Sequence, residues 1–193
     1  MVIAPEPTLR DVLRARRAAL PVPEKIAAAM AVVERVLALP EIRGARTVAG
    51  YWAVAGELPL LGLVARLPAT ARYCLPMLQP GRVLRFAPWR AGDPIVANRY
   101  GIPEPAHPGA PIDPAQLDVV VVPLLGFARD GHRIGSGGGW YDRSFAFRRD
   151  APAPPLLVGV GFACQDVGAH VPQPWDVPLD VLVTERETLV FAR

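Results

Sequence analysis

The chain has 193 residues, of which 51% are hydrophobic and 20% are charged, and its formal net charge is +3. This is the composition of an ordinary globular domain, so it excludes disorder along the whole chain. The two cysteines and three histidines are too widely scattered for a zinc site. No uninterrupted apolar run reaches the roughly 18 residues of a membrane-spanning helix, and the amino terminus has no apolar signal core, which predicts a cytoplasmic protein.

A single domain is predicted, in which residues 1–40 form a basic, helical amino-terminal segment. Thr8 and Asp11 have the spacing of a capping box, which predicts a helix that ends near Ala19. A second helix is predicted over 23–39, because apolar residues recur there at helical spacing. The positions expected to face the core are Ile26, Met30, Val33 and Leu37.

Residues 41–193 are predicted to form an α/β core. Strands are expected to begin near Thr47, Ala71, Val83, Leu117 and Pro155, and the segments DVLVTE and TLVF are expected to close the chain as short strands. The run LDVVVVPLL is almost wholly apolar, which predicts a central strand buried on both faces. A short crossover helix is predicted in LPLLGLVARL, and residues 90–114, rich in Pro and Gly, are predicted to be a long loop. This alternation predicts a three-layer fold, with helices on both faces of a largely parallel sheet.

Arginines form two clusters along the chain. The first contains Arg10, Arg14, Arg16 and Arg17, and the second contains Arg143, Arg148 and Arg149. Such patches suit a phosphorylated small ligand as well as nucleic acid. Neither cluster lies on a known nucleic-acid-reading helix, so nucleic acid is not expected as a partner. The chain is expected to act on small molecules as a monomer.

The most informative segment is RIGSGGGWYDR, residues 133–143. Glycines lack a Cβ atom, so their backbone N–H groups can approach phosphate oxygens closely. Arg133 could reach such a phosphate, and Asp142 could hold a Mg²⁺ ion that bridges phosphates. The segment is neither a Walker loop nor a dinucleotide fingerprint, because Trp140 and Tyr141 stand where those motifs need other residues. From these residues alone, a purely structural turn remains the alternative.

The longer segment VPLLGFARDGHRIGSGGGWYDR resembles the 5-formyltetrahydrofolate cyclo-ligases, also called methenyltetrahydrofolate synthetases. Further similarities to that family are spread along the chain, in LRARRAAL, GELPL, RFAPW, YGIPEP and WDVPLDVLVTE. The resemblance implies a three-layer α/β fold related to ribose-5-phosphate isomerase and CoA-transferase folds. It also implies conversion of 5-formyltetrahydrofolate to 5,10-methenyltetrahydrofolate with ATP and Mg²⁺, and release of ADP and phosphate.

The resemblance implies three groups of site residues. The residues expected to contact ATP are Arg10, Arg14, Arg133, Gly135, Ser136, Gly137, Gly138, Gly139, Trp140 and Tyr141. Those expected to contact the folate are Trp52, Glu57, Tyr100, Gly101 and Ile102. Asp142 is expected to bind Mg²⁺, and Arg133, Tyr141 and Asp142 are expected to take part in catalysis.

Five positions depart from the family pattern, namely Glu6, Leu60, Ala128, Ser136 and Trp175. They leave open a second hypothesis, in which the chain is a catalytically weakened relative that binds folate or nucleotide. A third hypothesis, a protein that handles sugar phosphates or CoA on a related fold, does not explain the YGIPEP and YDR elements.

Overall fold

The structure is a computed structural model that describes residues 6–192. Its helices are α1 (Leu9–Ala19), α2 (Val22–Ala38), α3 (Pro40–Gly44), α4 (Leu61–Val64) and α5 (Trp140–Ser144). Its strands are β1 (Thr47–Ala49), β2 (Arg72–Gln79), β3 (Val83–Pro88), β4 (Ile95–Ala97), β5 (Pro103–Pro105), β6 (Val119–Pro123), β7 (Gly126–Phe127), β8 (Arg133–Ile134), β9 (Leu156–Val160), β10 (Val181–Val183) and β11 (Thr188–Val190). None of the described helices is long and apolar enough to cross a membrane.

Seven strands form the main sheet, in the order β11-β10-β9-β6-β1-β2-β3. The five inner strands are parallel, and the two outer strands, β11 and β3, run antiparallel to their neighbours. β6 lies at the centre, where Val119 pairs with both Val48 of β1 and Leu156 of β9. The predicted largely parallel sheet with a buried central strand is therefore confirmed.

The side chains of β6 alternate between two separate cores. Val119 and Val121 pack with the residues of α2 on one face of the sheet. Val120 and Val122 pack on the other face with Phe145, which directly follows α5. Because each face of the sheet is covered by its own apolar layer, the three-layer arrangement is confirmed.

The capping box that was predicted for α1 is present. The Thr8 hydroxyl accepts a hydrogen bond from the Asp11 N–H at 3.3 Å, and the Asp11 carboxylate accepts one from the Thr8 N–H at 3.1 Å. The helix ends at Ala19, as the sequence predicted.

The predicted buried face of α2 is wrong in part. Val33 is buried, but Ile26 and Met30 are 57% and 66% exposed. The buried residues of this helix are Ala28, Ala29, Val32, Val33 and Val36. A face of alanines and valines lets the helix approach the sheet closely, so packing favours it over the face with the larger side chains.

The loop predicted over residues 90–114 contains a small hairpin that the sequence did not reveal. β4 and β5 pair antiparallel, with Ile95 opposite Pro105 and Ala97 opposite Pro103. Each strand has only three residues, which is too short to produce a visible alternation. The hairpin is attached to the main sheet through Glu104, whose carboxylate accepts the Leu78 N–H of β2 at 3.0 Å.

Arg148 does not belong to the second surface cluster of arginines. Its side chain is fully buried, and its guanidinium donates to both carboxylate oxygens of Asp180 at 2.8 and 2.9 Å. The same carboxylate accepts the Leu157 N–H at 2.7 Å. Arg148 therefore joins the segment after α5 to β9 and to the start of β10.

Candidate active site

A cavity of about 200 Å³ lies at the carboxyl ends of the central strands. Tyr51 and Trp52, just beyond β1, line one side, and Pro123, the last residue of β6, lines another. The predicted glycine-rich segment and the tip of the β4–β5 hairpin complete the walls. This is the edge at which ligands bind in open α/β sheets. We call this space the main cavity.

The glycine-rich segment between β8 and α5 presents free backbone donors. None of the five N–H groups of residues 135–139 donates a hydrogen bond to another group within residues 6–192. Gly137 and Gly139 have φ values of 106° and 66°, which only glycine adopts without strain. Unpaired, accessible N–H groups in a curved loop form an anion-binding cradle. The loop therefore fits the phosphates of a nucleotide.

Two arginines hold the carbonyl side of this loop. Arg10 of α1 donates to the Gly135 carbonyl at 3.0 Å, and Arg143 donates to the Gly138 carbonyl at 2.9 Å. These bonds fix the loop with its N–H groups left free. Arg14, also predicted as an ATP contact, instead pairs with Asp11 at 3.0 Å. It lines neither the main cavity nor the second cavity described below.

Arg133 and Asp142 form a partly buried ion pair at the base of the loop. The guanidinium is 9% exposed and donates to the Asp142 Oδ1 at 2.6 Å and to the Val177 carbonyl at 2.6 Å. The Val177 N–H donates to the same Oδ1 at 3.3 Å. The Oδ2 of Asp142 accepts no hydrogen bond from the residues that the structure describes. One oxygen of this carboxylate is therefore free of hydrogen bonds within the described residues.

That single oxygen fits a cation only in combination with a phosphate-bearing ligand. No group of three or more His, Cys, Asp or Glu side chains that could hold a metal occurs within residues 6–192. Mg²⁺ commonly binds through one or two carboxylates together with substrate phosphates and water. The carboxylate of Asp142 beside the free N–H groups matches that donor set.

A second cavity, of about 390 Å³, lies on the other side of the loop. Arg10, His170 and Trp175 line it, and Arg133 and Asp142 line both this cavity and the main cavity. The ion pair thus lies in the wall that the two cavities share. We call this space the outer cavity.

Glu57 lies in a tight turn in the wall of the main cavity. Its carboxylate accepts the Val54 N–H at 3.1 Å. Burial raises the pKa of Glu57 above its ordinary value, and the Val54 N–H and the Arg17 guanidinium lower it in partial compensation. A carboxylate in this position can accept two adjacent donors from the edge of a bound ring.

Tyr51 is a wall residue that the sequence did not single out. Its hydroxyl donates to the Leu58 carbonyl at 2.7 Å, so it braces the turn that carries Glu57. Burial, followed by the nearby Glu57, raises its pKa well above the usual value. The only signal in the sequence was its place beside Trp52, directly after β1.

The tip of the β4–β5 hairpin supplies Tyr100 and Ile102 to the main cavity. The side chain of Asn98 orders this tip, because its Oδ1 accepts the N–H groups of both residues at 2.9 and 3.1 Å. Gly101, between them, has a φ of 72° and does not line the cavity. The ring of Tyr100 packs edge-on against Trp140, with 6.2 Å between centroids. The hairpin and the glycine-rich loop therefore meet across the cavity mouth.

Tyr141 and Trp52 line the cavity between these groups. Tyr141 stacks on Phe145, with centroids 6.2 Å apart. Burial, and then the charge of Glu57, raises the pKa of its phenol far above the usual value, so it stays protonated at neutral pH. Trp52 packs edge-on against Trp89 at 5.6 Å.

The positions that depart from the family pattern fall in different places. Leu60 and Ala128 are buried and line neither the main nor the outer cavity. Ser136 lines the main cavity and Trp175 lines the outer one, where it is 59% exposed. Glu6 is exposed before α1.

The fold and the site together define a small-molecule-binding α/β protein, suited to an anionic ligand beside a planar, aromatic one. Comparison with known proteins makes this more specific. The family model described as the 5-formyltetrahydrofolate cyclo-ligase family matches residues 2–185. The chain therefore belongs to the 5-formyltetrahydrofolate cyclo-ligase family, and the resemblance seen in its motifs is confirmed.

Individual proteins that are similar to this chain carry the names of the same family. The chain is 33% identical over 180 residues to a 5-formyltetrahydrofolate cyclo-ligase of Haemophilus influenzae, which covers 91% of this chain and 95% of the relative. It is 33% identical over 177 residues to the Escherichia coli K12 protein of the same name, in an alignment that covers 89% of this chain and 96% of that protein. The solved structure of Aquifex aeolicus 5,10-methenyltetrahydrofolate synthetase superposes with a TM-score of 0.82 at 28% identity, covering 96% of this chain and 92% of that one.

Proposed function

We propose that the chain converts 5-formyltetrahydrofolate to 5,10-methenyltetrahydrofolate, using ATP and Mg²⁺ and releasing ADP and phosphate. One observation carries this proposal beyond family membership. Gly135, Ser136, Gly138 and Gly139, whose N–H groups are free, line the same cavity as Asp142 and Glu57. A phosphate donor and a folate could therefore occupy adjoining positions.

The proposed chemistry has two steps. In the first, the formyl oxygen attacks the γ-phosphorus, so an O–P bond forms while the bond from that phosphorus to ADP breaks. In the second, N10 of the folate attacks the activated formyl carbon and loses its proton, and the carbon–oxygen bond breaks to release phosphate. Phosphoryl transfer depends mainly on positioning and charge neutralisation, so it does not require a dedicated general base on the protein.

The residues at the loop have separate roles in this proposal. The N–H groups of residues 135–139 hold phosphate oxygens, and Arg10 keeps the loop in the receptive conformation. Asp142 would hold Mg²⁺, which neutralises phosphate charge when bound. Arg133 has both terminal nitrogens engaged, with Asp142 and Val177, so its main role is to orient the Asp142 carboxylate.

The opposite walls would hold the folate. Glu57 would accept two donors from the pterin edge, while Trp52, Tyr100 and Ile102 would enclose the rings. The protonated phenol of Tyr141 lies between the two halves of the site and could donate a hydrogen bond to either ligand. We further expect the enzyme to act as a cytoplasmic monomer.

The direct test is an absorbance assay for the methenyl product, with ATP and Mg²⁺ present and with each omitted in turn. We expect product only when both are present, and near-complete loss of it in the Glu57→Gln variant. The Glu41→Gln variant serves as the matched control, because Glu41 is exposed on α3 and lines neither cavity. No product, with folate and ATP still binding by calorimetry, would refute the proposal in favour of the weakened binding protein.

A further inference from the structure

One face of α1 touches both halves of the site. Arg10, Leu13 and Arg17 follow one another at steps of about one helical turn, so they lie along the same side of the helix. Arg10 donates to the Gly135 carbonyl in the glycine-rich loop at 3.0 Å. Arg17 donates to the Ala55 carbonyl, in the turn before Glu57, at 2.9 Å. Leu13, between them, is fully buried.

Arg17 is unusual because it is an arginine with only 5% exposure. Its guanidinium reaches a turn with an uncommon backbone conformation, in which Ala55 and Gly56 have positive φ values of 50° and 82°. Alanine rarely adopts a positive φ, and such a conformation persists only where neighbouring contacts hold it. The bond from Arg17 to the Ala55 carbonyl is such a contact, and Glu57 follows two residues later.

Arg17 also acts on the charge of Glu57. Burial disfavours the ionised carboxylate, and the positive charge of Arg17 opposes that effect. The other titratable groups that interact electrostatically with Glu57 are the phenols of Tyr51 and Tyr141, and both have raised pKa values. Neutral phenols supply no positive charge, so Arg17 is the cation that, together with the hydrogen bond from the Val54 N–H, favours an ionised Glu57.

We infer that Arg17 is a positioning residue for folate binding, which holds the 54–57 turn and keeps Glu57 in place and ionised. This inference rests on the proposed function, since it assumes that Glu57 binds the folate. It also gives α1 a definite role, because the helix fixes the folate turn through Arg17 and the phosphate loop through Arg10. The basic amino-terminal segment is then part of the site rather than a solvated surface.

The inference predicts a specific kinetic pattern for Arg17→Met. The KM for 5-formyltetrahydrofolate should rise about tenfold or more, the expected cost of losing one charged interaction, while the KM for ATP stays within about twofold. The acidic limb of the pH profile of kcat/KM for folate should move to higher pH, because Glu57 without Arg17 protonates more readily. Arg16→Met is the control, since Arg16 is an exposed neighbour whose one side-chain hydrogen bond within residues 6–192 goes to the Asp166 carbonyl.

Two conservative variants keep the test decisive if Arg17→Met fails to fold. Arg17→Lys retains the charge, whereas Arg17→Gln retains only a neutral donor. We expect the lysine variant to keep an acidic limb close to that of the unaltered protein and the glutamine variant to shift it. An identical limb in both variants, with an unchanged folate KM, would overturn the inference. If the unaltered chain itself neither binds nor converts folate, the proposed function fails instead, so the two failures are distinguishable.

Discussion

Arg133 and Asp142 form an ion pair with 2.6 Å between Nη2 and Oδ1, and this pair lies in the wall that the main and outer cavities share. Asp142 follows Arg133 by nine positions in the sequence, and the glycine-rich loop lies within that interval. The loop is thus closed at its base by the pair and held along its length by Arg10 and Arg143. The same carboxylate closes the loop through Oδ1 and keeps Oδ2 free of hydrogen bonds within the described residues, which fits the role proposed for it in binding Mg²⁺.

Asp142→Asn should therefore impair both catalysis and stability. Loss of the carboxylate removes the candidate Mg²⁺ ligand, so we expect kcat/KM to fall by at least about 100-fold and the Mg²⁺ concentration for half-maximal activity to rise. The free energy of unfolding should fall by about 1–3 kcal/mol, because Arg133 loses its charged partner. Turnover at varied Mg²⁺ and urea denaturation would measure these effects. Asp150→Asn, at an exposed carboxylate outside the cavities, should change neither, and equal effects in both variants would contradict the assignment.

Gly137→Ala separates nucleotide binding from general backbone strain. Gly137 has a φ of 106° and Gly109, in the remote 106–113 loop, has a φ of 60°, and both are exposed. A Cβ atom at either position meets no heavy atom closer than about 4 Å, so the cost at both is conformational. We expect each variant to lose about 1 kcal/mol of stability.

Only the loop variant should affect ATP. We expect the KM for ATP to rise about tenfold in Gly137→Ala and to stay constant in Gly109→Ala, because a changed loop conformation moves the N–H donors. Steady-state kinetics at saturating folate would measure this. An unchanged KM for ATP in Gly137→Ala would argue against the loop as the phosphate cradle.

Glu57→Gln should be more stable than the unaltered protein at neutral pH although it no longer binds folate. Burial raises the folded-state pKa of Glu57 above its ordinary 4.5, so the folded state holds this proton more tightly than the unfolded state. The unfolding free energy therefore falls as pH rises through the window just above 4.5. Because glutamine does not ionise, the Glu57→Gln variant lacks this pH dependence of the unfolding free energy.

Urea denaturation of both proteins at acidic and neutral pH would test whether the unfolding free energy changes with pH in this direction. The stability advantage of Glu57→Gln should be present at pH 7 and absent at about pH 4, below the unfolded-state pKa. Glu41→Gln, at an exposed glutamate, should show no such difference. An advantage that is independent of pH would mean that the ionisation of Glu57 is not its cause.

Arg148→Met should destabilise the fold without a direct effect on the ligands. Arg148 is fully buried and pairs with Asp180, so its removal leaves a buried carboxylate without its cation and should cost about 3–5 kcal/mol. Its exposed neighbour provides the control, because Arg149→Met should change stability by less than about 0.5 kcal/mol. Urea denaturation measures both. A raised KM for ATP in folded Arg148→Met would instead support the surface patch that the sequence suggested.

Much of the fold could be predicted from the sequence, because the local sequence signals agreed with the tertiary packing. The capping box of Thr8 and Asp11 fixed the start of α1, and the run of valines in β6 identified the central strand. The β4–β5 hairpin escaped prediction because its strands have only three residues each and show no alternation of buried and exposed positions. Arg148 was misplaced because sequence spacing cannot distinguish a solvated arginine from one with a buried partner 32 residues away.

The candidate site could also be predicted in part from the sequence, for different reasons. The glycine-rich loop stood out by its own composition, whereas Glu57 and Tyr100 were identified through the resemblance to the family. Tyr51 and Arg17 were identified in neither way, because their roles depend on which backbone carbonyl they reach, at Leu58 and Ala55. The Arg17 contact arises only when α1 packs beside the turn that follows β1, and the Tyr51 contact only when that turn folds back on itself.

The central claim is that the formyl oxygen of the folate attacks the γ-phosphate of ATP in this site. The most direct measurement uses 5-formyltetrahydrofolate labelled with ¹⁸O in the formyl group, in one complete turnover, followed by mass analysis of the released phosphate. The account predicts that each inorganic phosphate carries one labelled oxygen, formed in step with the methenyl product. Unlabelled phosphate, released with the label lost to water, would contradict it.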